Sequence, residues 1–207
     1  MTGPGPGGRR RYHHGDLREA LIETSIELLG ERDIRAFSMA EASRRLGVAV
    51  AAPYRHFADR DDLLAAIAVR AAELLGRQLD REVVAGDPAG RLAAAAGCYV
   101  RFAAAQRPLF QALAGSGLDK QRYPEIMRAA APLTQAFLVP AIELAGGAEA
   151  AGGRLGSAVV ATAHGHATLL LDGTFGPLPD AAEVAAGQAE AAARALTAGR
   201  SWLSPTS

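Results

Sequence analysis

SMAEASRRLGVAVAAPYRHF, the stretch from Ser38 to Phe57, decides the fold of the N-terminal part of this chain. Ser38 and Glu41 have the S-x-x-E spacing of a capping box, which predicts that a helix begins at Met39. Gly47 can adopt the positive φ at which helices end. The chain after the turn is predicted to form a second short helix that carries Tyr54, Arg55, His56 and Phe57. Two short helices joined by a glycine turn form a helix-turn-helix, whose second helix enters the DNA major groove in the proteins that use it for DNA binding.

The surroundings of this helix pair favour DNA binding. A Gly- and Pro-rich arm ending in Arg9, Arg10 and Arg11 precedes it, and the second helix carries several groups that reach phosphates but few acids. Short helix pairs with a glycine turn are also common in all-helical proteins. The alternative that this pair only packs in a core therefore stays open.

The overall charge does not indicate a nucleic-acid partner. The 207 residues carry 22 Lys and Arg against 22 Asp and Glu, so the formal net charge is zero. Through Arg60 there are 10 Arg and 8 acids, a net of +2, which leaves 12 basic and 14 acidic residues, a net of −2, for the remainder. Binding to phosphate would have to come from a local patch rather than from a general field.

Cysteine usage and hydropathy predict a cytoplasmic protein that is not embedded in a membrane. Cys98 is the single cysteine, so no disulfide can form within the chain, and its Ala-rich surroundings predict a buried thiol. The first eight residues are rich in Gly and Pro and do not resemble a signal peptide. The longest uncharged stretch, Leu155 to Leu171, contains two His and two Gly and is shorter than the ~20 apolar residues of a membrane span.

The helix-capping and helix-breaking residues in the rest of the sequence predict an all-α protein of about nine helices. Outside the helix-turn-helix, helices are expected at about 17–30, 60–84, 88–105, 107–113, 124–145, 154–172 and 180–198. Breaks or kinks are expected at Pro132 and Pro140, and a loop is expected over 145–153. The domains are predicted as an arm at 1–11, a helix-turn-helix domain at 12–62, a helical bundle at 63–200 and a tail at 201–207.

Residue patterns for catalysis or metal binding are missing from the sequence. It contains no G-x-S-x-G motif, no phosphate-binding loop and no pair of carboxylates in an apolar helix. The spacing of His13, His14, His164 and His166 does not match that of metal ligands, and no Cys accompanies them. The sequence predicts no enzyme, no metal and no cofactor.

At motif level the first ~65 residues resemble the TetR (tetracycline-repressor-like) family of bacterial transcriptional regulators. The family pattern appears as the apolar helix from Leu17 to Leu29, the turn Gly47-Val48, the sequence Tyr54 to Phe57, and Arg60 before Leu63-Leu64. The rest of the chain is similar in the number and order of its helices. YHHGDLR at 12–18 and the pair His164-Gly165 resemble one subgroup with a His-Gly pair in its C-terminal domain.

The resemblance implies a set of residues that contact DNA. Tyr54, His56 and Arg60 match family positions that contact the phosphate backbone. Val50, Ala51 and Ala52 are expected to face the groove, where they can only make apolar contact with thymine methyl groups. Polar or flanking contacts are then expected from Ser38, Met39, Arg44 and Arg55, and from Arg9, Arg10 and Arg11 in the adjacent minor groove.

The resemblance also implies a homodimer on a palindromic operator in double-stranded DNA, released by a small-molecule effector. The subunits are expected to pair through the last two helices, 154–172 and 180–198. A ligand pocket is expected within the C-terminal bundle, and its mostly apolar candidate lining suggests a hydrophobic effector. The candidate lining residues are Tyr99, Phe102, Phe110, Met127, Phe137 and His164. The rival hypothesis is a helical small-molecule binding protein without specific DNA binding.

Overall fold

A computed structural model describes residues 14–31, 34–83, 86–119, 121–177 and 179–199. All regular secondary structure in these ranges is helical, which confirms the predicted all-α class. The chain divides into two compact units, one ending at Leu63 and the other beginning at Leu64. The predicted arm at 1–11 and tail at 201–207 lie outside the described residues. None of the described helices is long and apolar enough to cross a membrane.

The N-terminal unit is built from two α-helices and the start of a third. α1 spans His14–Glu31, α2 spans Met39–Leu46, and α3, which spans Arg60–Glu82, begins in this unit. α1 packs against α2. The apolar stripe predicted on α1 supplies much of the core, whose members are Leu21, Ile22, Leu28, Leu29, Phe37, Met39, Ala42, Phe57 and Leu63.

Gly47 ends α2 as predicted. Its φ is +67°, and its amide donates to the carbonyl of Arg44 while the amide of Val48 donates to that of Ser43. These two bonds form a Schellman motif, which satisfies carbonyls at the end of the helix. The predicted capping box at the other end was wrong in detail: α2 begins at Met39, but in the described structure the Ser38 side chain makes no capping hydrogen bond.

The predicted second helix is shorter and tighter than expected. Only Pro53–Arg55 is helical, and it is a 3₁₀ turn. Pro53 has no amide hydrogen, so it cannot donate the bond back to Ala49 that an α-helix would need. The amides of Ala52 and His56 instead donate three residues back, to Ala49 and Pro53.

The C-terminal unit is a helical bundle with α4 at its centre. The helices after α3 are α4 (Pro88–Ala105), α5 (Arg107–Phe110), α6 (Pro124–Ala129), α7 (Ala131–Leu144), α8 (Glu149–Leu171) and α9 (Asp180–Ala198), and a π-helical turn at Gln111–Gly115 follows α5. α4 packs against α7, α8 and α9. Asp87 caps α4, with its Oδ1 accepting from the amide of Gly90. The expected break near Pro132 is the boundary at Ala130 between α6 and α7.

The loop predicted over 145–153 was wrong, since α8 already begins at Glu149. Glycine here serves helix packing. A Cβ on Gly152 would lie 2.6 Å from the Cα of Ile142 in α7, and one on Gly156 would lie 3.3 Å from the carbonyl oxygen of Phe137. Both glycines therefore let α8 approach the backbone of α7 closely.

Candidate DNA interface and ligand cavity

The outer surface of the helix-turn-helix carries most of the predicted DNA contacts. Tyr54 is 57% exposed and Val50 is 50% exposed. Arg44, Ala51 and Arg55 are also exposed, while Ala52 and Ser38 are partly buried. Phe57, at the end of this segment, is buried. The Arg18 guanidinium lies 5.3 Å from the centre of the Phe57 ring. The exposed set thus combines two cations, a phenol and apolar groups.

The Arg60 guanidinium makes hydrogen bonds within its own unit. Its Nε donates to the carbonyl oxygen of Phe37 at 3.2 Å, and its Nη2 donates to that of Ile34 at 2.6 Å. Nη1 lies 3.2 Å from Oδ1 of Asp61. The predicted role of Arg60 in phosphate contact stays a prediction, but these contacts give the side chain a structural role that its sequence position did not indicate.

Two other residues that were predicted to contact DNA have less exposed side chains. Met39 is 4% exposed, so its side chain belongs to the core, and only its backbone at the start of α2 is left for a DNA contact. His56 is partly buried, and its Nε2 is buried without a hydrogen-bond partner among the described residues. The three arginines at 9–11 lie outside the described residues.

The C-terminal unit contains a cavity of about 760 Å³ between α4, α6, α7 and α8. This volume is within the range of small-molecule sites. Its lining consists of Tyr99, Leu113, Ala114, Ile126, Met127, Ala130, Leu133, Thr134, Phe137, Leu138, Gly153, Gly156, Ser157, Val160, Ala161 and His164. Met127, Thr134, Ser157 and Ala161 are exposed, so the cavity opens to the surface beside them.

Aromatic rings surround one part of this cavity. Tyr99 lies edge-on to Phe110, Phe137 and His164, with ring centres 5.5, 6.5 and 6.3 Å away. The hydroxyl of Tyr99 is 3.2 Å from Nδ1 of His164. Burial raises the pKa of Tyr99 to about 12, so its hydroxyl keeps its proton at neutral pH.

Four of the six predicted lining residues line the cavity: Tyr99, Met127, Phe137 and His164. Phe110 stands behind them against Tyr99 and His164, and Phe102 is buried. The small residues on α8 were missed. Their signal is a helical face, since Gly153, Ser157 and Ala161 follow one another at intervals of four.

The described residues contain no group of three or more His, Cys, Asp or Glu placed to hold a metal ion. Cys98 is buried in α4, as predicted. The polar groups of the cavity are hydroxyls and one imidazole, which suit hydrogen bonding to an organic ligand.

The N-terminal unit matches a known family. The family model described as "Bacterial regulatory proteins, tetR family" matches residues 21–67. A comparison with curated proteins gave no match.

Several solved structures share the fold of the whole chain. A protein of unknown function from Rhodococcus sp. RHA1 is 28% identical with a TM-score of 0.71, over 90% of this chain and 98% of that chain. The TetR family transcriptional regulator PfmR from Thermus thermophilus is 20% identical with a TM-score of 0.62, over 84% and 97%. RolR, solved in complex with resorcinol, is 21% identical with a TM-score of 0.56, over 88% and 93%. Residues 21–67 thus match the tetR family model, and the chain shares its fold with solved structures that include a TetR family transcriptional regulator.

Proposed function

We propose that this protein is a sequence-specific DNA-binding transcriptional regulator. The observation that carries the proposal is the arrangement of side chains over residues 39–57. Met39 and Phe57 are buried, while Arg44, Tyr54 and Arg55 are exposed on the same unit. Exposed cations and a phenolic hydroxyl suit contact with DNA phosphates, and the neighbouring apolar groups suit contact with thymine methyls.

The regulator is proposed to act as a homodimer on a palindromic operator. α8 and α9 pack against each other, and each leaves a large apolar side chain exposed, 46% for Leu169 and 52% for Val184. Pairing of these helices with those of a second chain would bury both side chains. The two-fold symmetry of such a dimer matches half-sites about 34–36 Å apart on the DNA.

The regulator is proposed to be a repressor. A small apolar molecule that binds in the cavity is proposed to release it from the DNA. Ile126 lines the cavity and belongs to the same buried cluster as Ala65 and Ala68 of α3. α3 begins directly after the helix-turn-helix, at Arg60. A ligand that favours a displaced Ile126 would shift the population of α3 positions, by no more than its difference in affinity for the two states.

The test of DNA binding measures affinity for a random-sequence duplex as a function of salt concentration. The proteins compared are the wild type, Arg44→Ala, and Arg107→Ala as a matched control, because Arg107 is an exposed arginine of the C-terminal unit. We expect the slope of log K against log [salt] to fall in magnitude by about 0.9 in Arg44→Ala, the value for one lost phosphate contact, and to be unchanged in Arg107→Ala.

Equal slopes in all three proteins would contradict the proposed interface. Failure of the wild type to bind DNA even at low salt would favour the second candidate, a helical small-molecule binding protein. The cavity is the observation that supports this candidate.

A further inference from the structure

The cavity in the C-terminal unit carries almost no charge. Of its sixteen described lining residues, none is Lys, Arg, Asp or Glu. A carboxylate or an ammonium entering this space would lose its hydration without gaining an opposite charge. The lining therefore selects against charged molecules.

The aromatic side of the cavity suits a flat ring. Tyr99 and Phe137 line the space edge-on to each other, and the Phe110 ring packs against Tyr99. Aromatic rings prefer such edge-to-face contacts with further rings. The small residues Gly153 and Ala161 on α8 also line the space, and a Cβ on Gly153 would meet no described atom within 4 Å.

The one strong polar feature among the rings is the pair formed by the Tyr99 hydroxyl and Nδ1 of His164, 3.2 Å apart. A neutral imidazole has one donor and one acceptor nitrogen, and a phenol both donates and accepts. If Tyr99 donates to Nδ1, the pair keeps the Nε2 hydrogen as a donor and the phenolic oxygen as an acceptor. If Nδ1 donates to Tyr99, the pair keeps the phenolic hydrogen and Nε2. In either arrangement of the neutral imidazole, the pair offers one donor and one acceptor.

We propose that the cavity binds an uncharged aromatic alcohol, with its ring among Tyr99 and Phe137 and its hydroxyl on the Tyr99–His164 pair. A hydroxyl both donates and accepts, so in either arrangement it can form a hydrogen bond with a member of the pair. Because burial raises the pKa of Tyr99 to about 12, the pair stays neutral on the tyrosine side throughout the physiological range. The inference rests on the proposed function only in taking this cavity as the effector site.

The experiment compares three probes that share one ring system: naphthol, naphthalene and naphthoate, the first and last substituted at the same position. Equilibrium dialysis at neutral pH gives the affinity of each for the wild type without DNA. We expect naphthol to bind about threefold to tenfold more tightly than naphthalene, the gain from one net hydrogen bond between neutral groups. We expect naphthoate to bind less tightly than naphthol by about tenfold or more, because its charge is unpaired in the cavity.

Two variants test whether the Tyr99–His164 pair causes the preference for naphthol over naphthalene. Tyr99→Phe keeps the ring and removes one member of the pair, so the preference for naphthol over naphthalene should diminish while naphthalene binds as in the wild type. Thr134→Val is the matched control, because Thr134 also lines the cavity but its hydroxyl already donates to the carbonyl of Ala130 in the preceding turn. It should keep the naphthol preference.

Equal affinities of naphthoate and naphthol would overturn the proposal, since the cavity would then accept anions. An undiminished preference for naphthol in Tyr99→Phe would also overturn it. Failure of all three probes to bind the wild type would overturn it as well. Because the dialysis contains no DNA, each of these results leaves the proposed DNA binding untouched, and failure to bind DNA would leave this inference untouched.

Discussion

At the scale of single residues, the helix-turn-helix depends on residues that satisfy backbone carbonyls at helix ends and between helices. The segment between α1 and α2 presents the carbonyls of Ile34 and Phe37 to the Arg60 guanidinium, which donates to both. Gly47 satisfies two further carbonyls through its positive φ. These contacts fix the backbone beside the surface proposed to bind DNA.

Arg60→Ala is therefore expected to destabilise the N-terminal unit by about 1 kcal/mol, because two carbonyls lose a donor that is partly buried. Arg60→Lys should recover only part of this loss, since an ammonium is not a planar fork that reaches two carbonyls at fixed angles. Urea unfolding of the three proteins, followed by circular dichroism, gives the free energies. Equal stability of the wild type and Arg60→Ala would contradict the structural role and leave phosphate contact as the remaining role of this residue.

The Cys98 thiol gives a residue-scale prediction with a pH dependence. Burial raises its pKa to about 12, and the nearby Glu82 adds to the effect. The thiol pKa is higher in the folded chain than in the unfolded chain, where it is about 8.5. Below about pH 8.5 the thiol is protonated in both states, and the stability of the fold does not depend on its ionisation. As the pH rises from there toward 12, only the unfolded chain loses the proton, so the stability falls. Ellman's reagent at pH ~8 should therefore leave the folded protein unmodified and react fully in denaturant. Rapid reaction of the folded protein would show that Cys98 is accessible.

At the scale of elements, the contact between α7 and α8 depends on the absence of a side chain at Gly152. A Cβ there would meet the backbone of Ile142 at 2.6 Å, whereas one at the adjacent Gly153 would meet no atom within 4 Å among the described residues. The two neighbouring glycines thus form a matched pair for testing helix packing.

Gly152→Ala is expected to lower the free energy of unfolding by about 1–3 kcal/mol through overpacking. Gly153→Ala should raise it by about 0.5–1 kcal/mol, because alanine restricts the unfolded chain and fits this position of the helix. Denaturant unfolding without ligand distinguishes the two. A change of the same sign and size in both variants would contradict the close approach of α7 and α8.

Some ends of these elements could be predicted from the sequence and others could not. Gly47 and the Asp87-Pro88 cap were predictable because each acts on its own backbone. The 3₁₀ turn at Pro53–Arg55 was missed, although Pro53 has no amide hydrogen to donate to the carbonyl of Ala49. The helical start of α8 was missed because the benefit of Gly152 comes from a neighbouring helix that the local sequence does not reveal. Four of the sixteen described lining residues of the cavity were predicted, since aromatic residues stand out in a sequence whereas small residues that create space do not.

At the scale of the whole molecule, the proposal requires two chains. Val184 on α9 is exposed, and so is Val139 on α7, which lies outside the proposed dimer surface. Val184→Glu should convert the dimer to monomers in analytical ultracentrifugation, because it places a charge in an apolar contact. Val139→Glu is the matched control and should stay dimeric. A wild type that sediments as a monomer at micromolar concentration would contradict the proposed dimer.

The central claim is that this chain reads DNA sequence as a two-fold dimer. The most direct measurement is selection of bound sites from a random DNA pool by the purified protein at ~0.15 M salt, the physiological range. We expect recovery of one palindrome, with half-sites separated by about one helical turn or a multiple of it. Recovery of no sequence above background would contradict the claim and leave the helix-turn-helix as a packing unit of a ligand-binding protein.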